Sequence, residues 1–304
     1  MLKKKVCLKI DVDTHDGMRD GVPALLEDLE AFDARATFCL SFGPDNAGKA
    51  IFRLFKDPGF LKKMLSTGAP KMYGLRTVLS GTLLPARPIA SAFPVICKEI
   101  VKNGHEAIVH AWDHRKWQDH LKHMKKSEVR QEFEKSFQAF MDVFSAKPRA
   151  VAAPGWQATK VSLAVQDELN LHYASDLREP FPCFLRIGQR RFSTLQIPTT
   201  GPCIEELLTV GIRNEDEISS HLLSALKKAK QPVLAVHAEV EGGVFRPFFR
   251  RFMKILSQEF AGFTTLEEIA SQTLSAKADI PVLEFVEVRL PGRAGKVSSA
   301  KTGP

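Results

Sequence analysis

Two aspartates, Asp11 and Asp13, stand in the run Ile10-Asp11-Val12-Asp13-Thr14. Alternate residues of an extended strand point the same way, so both carboxylates face one space. There they repel unless a proton or a cation separates them. A dication held by one resolves the conflict and leaves the other free as a general base beside an activated water. Two histidines, His110 and His114, lie four residues apart in His110-Ala111-Trp112-Asp113-His114. On a helical turn that spacing puts both imidazoles on one face, a workable pair of metal ligands once a third group opposes them. Asp13 is the candidate for that third ligand. Two His and one Asp suit Zn2+, while Mn2+, Co2+ and Ni2+ share such ligands. A further histidine, His237, closes the apolar run Val233-Leu234-Ala235-Val236. So placed, an imidazole can protonate a departing amine. A neighbouring carboxylate, with Asp176 the candidate, would raise its pKa and orient its ring. A metal held at three points, a base in Asp11 and an acid in His237 together match the hydrolysis of an amide.

These side chains can meet only if the chain gathers the ends of several strands. Short β-rich runs at 5–11, 36–42, 105–110, 149–153, 171–174, 193–198, 232–237 and 262–265 alternate with helical-period segments at 21–33, 88–103, 127–145, 158–170, 215–229, 244–258 and 266–273. Such alternation implies right-handed βαβ units and a parallel sheet. Seven or eight units predict an α/β fold, an irregular (β/α) barrel over residues 1–286. An open doubly wound sheet is the alternative. In a parallel barrel chemistry sits at the carboxyl ends of the strands, where Asp11, Asp13, His110, Asp176 and His237 fall. His105 precedes its strand and belongs to the opposite end.

Two stretches depart from the alternation. Residues 44–87 are too long for a plain connection. They carry Lys49, Arg53, Lys56, Lys62, Lys63, Lys71, Arg76 and Arg87 interleaved with Phe52, Phe55, Phe60 and several leucines. That pattern predicts a basic amphipathic insertion. Residues 287–304, rich in Gly, Ser, Lys and Pro, predict a disordered tail.

Composition narrows the class. The chain has 304 residues, 44% of them hydrophobic and 26% charged, which is ordinary globular usage. Its five cysteines are scattered and never form a C-x-x-C pair, which argues against a disulfide framework or a cysteine zinc knuckle and for free thiols in a reducing compartment. Lys9 and Asp11 interrupt the apolar run after the basic start, so no signal peptide is read there. No apolar stretch reaches the roughly 18 residues of a spanning helix. The expected location is cytoplasmic. A net charge of +8 points to an anionic partner, a phosphate-bearing molecule or an acidic membrane surface. No nucleic-acid motif accompanies the charge, and nothing points to a protein partner.

Asp-x-Asp ending the first strand, His-x-x-x-His after the third, Pro154-Gly155-Trp156 after the fourth, Asp176 after the fifth and a strand ending in His237 resemble, in that order, the polysaccharide deacetylase superfamily. The resemblance spans about residues 5–270. It implies an irregular (β/α) barrel, Asp11 as base, Asp13 with His110 and His114 as metal ligands, and His237 as acid, tuned by Asp176. Gly17-Met18-Arg19-Asp20-Gly21-Val22-Pro23, Gly43-Pro44-Asp45-Asn46 and His237-Ala238-Glu239-Val240-Glu241-Gly242 are similar to the branch that strips formate from an undecaprenyl-phosphate-linked 4-deoxy-4-formamido-L-arabinose, a step in lipid A modification and cationic peptide resistance. That likeness implies a lipid-linked sugar as substrate, with Trp156, Glu239 and Arg19 as candidate substrate contacts. It also implies peripheral association with an anionic inner-membrane surface, for which the basic insertion is suited. Glu241 shares with Glu239 the position to meet hydroxyls or the new ammonium.

One position departs. Many superfamily members carry an arginine two residues before the motif proline, where it steadies the base. Here Ala152 stands there. Either another cation, Arg178 or Arg19, takes its place, or the base is less activated. The alternatives to deformylation are N-deacetylation of another lipid-linked or free amino sugar, and a non-catalytic lipid-sugar-binding protein.

Overall fold

The structure, a computed structural model, describes residues 3–49, 76–179, 181–276 and 280–301. Most of the basic insertion therefore lies outside the described residues. So do 302–304 at the end of the chain.

The first strand, β1 (Val6–Val12), is buried along its whole length. Alternation splits it between two environments. Val6, Leu8, Ile10 and Val12 pack outward against the helical layer. Cys7 packs inward with Cys39, Ile108, Ala150, Tyr173, Leu195 and Val233, and Lys9 and Asp11 continue that inner face toward the strand's end. The other strands follow as β2 (Thr37–Ser41), β3 (Glu106–Ala111), β4 (Ala150–Val151), β5 (Tyr173–Ala174), β6 (Phe184–Ile187), β7 (Arg190–Arg191), β8 (Leu195–Gln196), β9 (Val233–His237), β10 (Phe263–Thr264), β11 (Val282–Val288) and β12 (Val297–Lys301).

The main sheet runs β10-β1-β2-β3-β4-β5-β8, with β9 on the other side of β1, and every pairing in it is parallel. It curls until the chain leaving β8 meets β9, where Thr200 N donates to Val233 O at 2.9 Å and Val233 N to Thr200 Oγ1 at 2.9 Å. This is the expected irregular (β/α) barrel. All eight sequence-read strands are present, and the helices Val22–Ala31, Pro94–Lys102, Lys126–Phe144, Lys160–Glu168, Glu215–Lys228, Arg246–Glu259 and Leu266–Ser275 fall in the segments read as helical. Among the described residues, the short α-helices His114–His120 and Ile204–Thr209 lie outside the segments read as helical.

The tail from 287 departs from expectation. β11 and β12 pair antiparallel, β11 pairs parallel with β6, and β6 and β7 form a hairpin, giving a second sheet in the order β12-β11-β6-β7. Val297, Ser298, Ser299 and Ala300 are buried. Backbone satisfaction explains why a polar segment orders here. Ala158 N donates to Ser298 Oγ at 2.8 Å, Arg178 N to Ser298 O at 3.1 Å, and Ala300 N to Glu179 Oε1 at 2.9 Å. A Gly/Ser-rich composition says nothing about a surface already waiting to pair.

Burying Val297 alone is worth roughly 1.5–3 kcal/mol, and the lost hydrogen bonds add to that. Deleting residues 296–304 is therefore expected to destabilise the protein by at least about 2 kcal/mol, read from the urea midpoint. An unchanged midpoint would show that this strand contributes no net stability.

Candidate functional site

The carboxyl ends of β1, β3 and β9 converge on one rim. Asp13 follows β1, His110 lies on β3, and His114 opens the helix after it. Asp113 caps that helix, accepting from Lys116 N at 2.9 Å. The two histidines thus do not share a helical face, as their spacing suggested. A strand-to-helix turn brings them together, with ring centroids 5.2 Å apart. The Gly43-Pro44-Asp45-Asn46 motif braces that turn from β2. Asn46 Nδ2 donates to Asp113 Oδ2 at 2.7 Å, and Asp45 Oδ2 accepts from His15 N at 3.0 Å.

Asp13, His110 and His114 form a group whose ligand atoms all lie within 4.8 Å of one another. Asp13 Oδ1 is 3.2 Å from His110 Nε2, and Oδ2 is 3.1 Å from His114 Nε2. The Nδ1 of His110 lies 2.8 Å from Ala152 O, which can only accept. That fixes the tautomer of a neutral ring and leaves a lone pair on Nε2. Two lone-pair atoms, Nε2 and Asp13 Oδ1, then face each other, and Oδ1 is buried without a hydrogen-bond partner. A cation between them satisfies both, so the donor set fits a divalent metal. Burial opposes ionisation of Asp13, but His114 and then His110 outweigh it and hold the carboxyl well below its usual range.

Asp11 lies beside this group. Lys9 Nζ is 3.1 Å from its Oδ2, and both side chains are buried. Oδ1 is also buried and has no hydrogen-bond partner. Burial would raise the Asp11 pKa, yet Lys9 and then His110 prevail and lower it.

His237 ends β9, its backbone N donating to Glu241 Oε2 at 2.8 Å. Its Nδ1 is 3.0 Å from Glu205 Oε1. Burial alone would neutralise the ring, but Glu205 and, less strongly, Asp13 and Asp11 lift its pKa well above the ordinary value. Glu205 belongs to Ile204–Thr209, one of the helices absent from the sequence reading. The expected partner, Asp176, is committed elsewhere. It accepts from Ala153 N at 2.8 Å and Gln166 Nε2 at 2.7 Å, and burial pushes its pKa to about 6. Asp176 fixes the β4–β5 region and does not orient His237. The sequence carried no mark for Glu205, because its distance to His237 depends on how the barrel closes.

The remaining candidates separate. Glu239 reaches the site, where burial and the nearby Asp13 push its carboxyl well above the usual range. Its Oε2 has no hydrogen-bond partner. It is delivered there by a close backbone approach, since a Cβ on Gly21 would lie 2.1 Å from Ala238 O. Glu241 is pushed to about 8, by burial and then Glu205. Arg19 is 42% exposed at its side chain and pairs with Asp20 and Asp16, away from Asp11. Trp156 is buried, its Nε1 donating to Thr199 Oγ1 at 3.0 Å. Its ring lies against the guanidiniums of Arg178 (4.5 Å) and Arg293 (4.6 Å) and against Lys9 Nζ (5.4 Å). It supports the site from behind, and a sugar would not reach its face. Arg178 is held by Glu206 at 2.9 Å and by Gly201 O. Neither arginine proposed to stand in at Ala152 reaches the base.

Residues 2–174 match the polysaccharide deacetylase domain. Over 295 residues the chain is 33% identical to a protein of Shewanella sediminis named "Probable 4-deoxy-4-formamido-L-arabinose-phosphoundecaprenol deformylase ArnD", covering 97% of this chain and 94% of that one. A protein of the same name from Wigglesworthia glossinidia brevipalpis is 29% identical over 287 residues, covering 93% and 97%. Among solved structures, Puue allantoinase superposes with a TM-score of 0.61 at 14% identity, covering 90% of this chain and 92% of that one, a likeness of fold.

Wild-type protein is expected to bind about one Zn2+ per chain. Asp13→Ala and His114→Ala are each expected to weaken that binding by about 100-fold or more, measured by calorimetry on metal-stripped protein. Equal affinity in wild type and both variants would place the ion elsewhere.

Proposed function

The chain belongs to the polysaccharide deacetylase family and is a hydrolase of non-peptide amide bonds, a deformylase or deacetylase, and we propose that it is a metal-dependent enzyme releasing formate from undecaprenyl-phosphate-linked 4-deoxy-4-formamido-L-arabinose. The substrate rests on near-full-length similarity to two proteins named for that reaction. The mechanism rests on one observation: a carboxylate with a free buried oxygen, a trio of metal-ligating groups and an ion-paired imidazole share one rim.

Asp13, His110 and His114 would hold the metal, most readily Zn2+, with Mn2+, Co2+ or Ni2+ compatible with the same donors. When bound, such an ion polarises the formyl oxygen and lowers the pKa of a water. Asp11, ionised through Lys9, accepts the proton of the attacking water at Oδ1. His237, held protonated by Glu205, gives its proton to the departing sugar nitrogen from the ring nitrogen that does not face Glu205. Glu239, whose carboxyl burial and the nearby Asp13 push toward the neutral form, would present an O–H donor to a sugar oxygen. Acid and base thus acquire opposite protonation states at one pH from their surroundings.

The polyprenyl substrate lies in a membrane, and no helix among the described residues is long and apolar enough to cross one. We place the protein at the cytoplasmic face of the inner membrane, bound peripherally to an anionic surface. Leu83, 81% exposed, and Leu84 lie in the described end of the basic insertion and suit such contact.

Purified protein loaded with Zn2+ is expected to release formate from the formamido-arabinose lipid and to leave the acetamido analogue intact. Acetate release instead would shift the reading to a deacetylase, and release of neither would end it. Glu205 raises the His237 pKa, so Glu205→Gln should lower it. The alkaline limb of the kcat profile, where the acid loses its proton, is then expected to move to lower pH by about 1–3 units. An unmoved limb would remove His237 from the acid role.

A further inference from the structure

Lys9 is a lysine with no exposed surface, on a central strand of a barrel. An ammonium taken out of water is heavily penalised unless something ionic repays it. Here Asp11, two residues on and on the same inner face of β1, offers Oδ2 at 3.1 Å. Lys9 Nζ also sits over the ring of Trp156, 5.4 Å from its centroid. Trp156 is itself fixed by its bond to Thr199 and flanked by Arg178 and Arg293. Ala152, fully buried, presents only a methyl group to this interior. The other nearby cations are committed: Arg178 to Glu206 and Gly201 O, Arg293 to Gly155 O and Glu206.

The two oxygens of Asp11 are thereby made unequal. Oδ2 is engaged by the ammonium, while Oδ1 is buried without a partner. We propose that Lys9 is the positioning residue of the catalytic base, locking Asp11 Oδ2 so that Oδ1 alone is presented to the water proton. This rests on Asp11 being the base. Lys9 does the work from within the same strand, where its distance to Asp11 is set by one strand repeat and does not depend on the β4 loop. A cation on β1 explains how Ala152 is tolerated.

The test measures kcat, KM and bound metal for Lys9→Met and Lys9→Arg, alone and in an Asp11→Asn background. Lys9→Met is expected to lose about 100-fold or more in kcat, with KM within about threefold and metal content unchanged. Lys9→Arg, which restores a donor to Oδ2, should stay within about tenfold of wild type. In the Asp11→Asn background Lys9→Met should cost nothing further, because its effect passes through Asp11. That double variant also removes both buried charges and so reports on folding. Should Lys9→Met alone not fold, Lys9→Gln keeps a neutral donor, and a loss of about tenfold in kcat is expected of it. Wild-type kcat in Lys9→Met or Lys9→Gln would overturn the proposal, as would an equal loss in both backgrounds. A wild-type chain that hydrolyses neither formyl nor acetyl amide would instead remove the base role of Asp11, and this proposal with it.

Discussion

Like-charge repulsion at the mouth of the barrel governs how the rest of the site is built. Asp11, Asp13, Glu205, Glu239 and Glu241 crowd a region largely closed to water, where carboxylates cannot all ionise unaided. Each is settled by a different device. Asp11 has a buried lysine. Asp13 has two imidazoles whose geometry suits a shared cation. Glu205 has His237. For Glu239 and Glu241 burial prevails over the nearby His237 and pushes both carboxyls upward. On the proposed reading, one cluster of chemically similar groups thus supplies a base, a metal ligand, a support for the acid and two further carboxyls facing the substrate.

Those assignments hold only if the side chains cannot relax away from one another, and the second sheet provides the rigidity. The Pro154-Gly155-Trp156 turn carries consecutive left-handed residues, Gly155 at φ 60° and Trp156 at φ 53°. A bulky residue in that region is strained and persists only where its surroundings over-determine it. They do so here. Arg293 donates to Gly155 O, Ser298 receives Ala158 N, and Gln157 Nε2 reaches Lys296 O. The segment 287–301 is therefore part of the scaffold behind Lys9 and Trp156.

How much of this was legible depended on whether the signal was local. The eight barrel strands and seven long helices were readable because hydrophobic period is a property of a short window. Asp11, Asp13, His110, His114 and His237 were readable because each ends or follows such a strand, and the rim collects strand ends whatever the details. Glu205 was not, since its pairing with His237 spans a contact made only when the barrel closes through Thr200 and Val233. Asp176 illustrates the converse. Its position after the fifth strand was read correctly, but its oxygens were already claimed by Ala153 N and Gln166, partners that no spacing discloses. Lys9 lay between these cases. Its place two residues before Asp11 put both on one face, yet a lysine in an apolar strand reads first as an interruption.

The charge states also bear on which substrate such a mouth accepts. Five carboxylic acids, Asp11, Asp13, Glu205, Glu239 and Glu241, gather around two basic groups, Lys9 and His237, so acids outnumber bases there before any ion is bound. A dication on the Asp13 trio would offset that excess. On the proposed reading an anionic substrate would be repelled less by the loaded site than by the metal-free one, so metal and substrate binding would reinforce each other through simple electrostatics. A phosphate-linked sugar carries its charge outside the reacting amide, where the surplus of basic residues over the whole chain, +8, also acts on it. On the proposed reading the same offset would ease release of the product ammonium, which would leave a region less rich in uncompensated carboxylate. Substrate entry and product exit would then be favoured by the same charge balance that, on the proposed reading, sets acid and base apart.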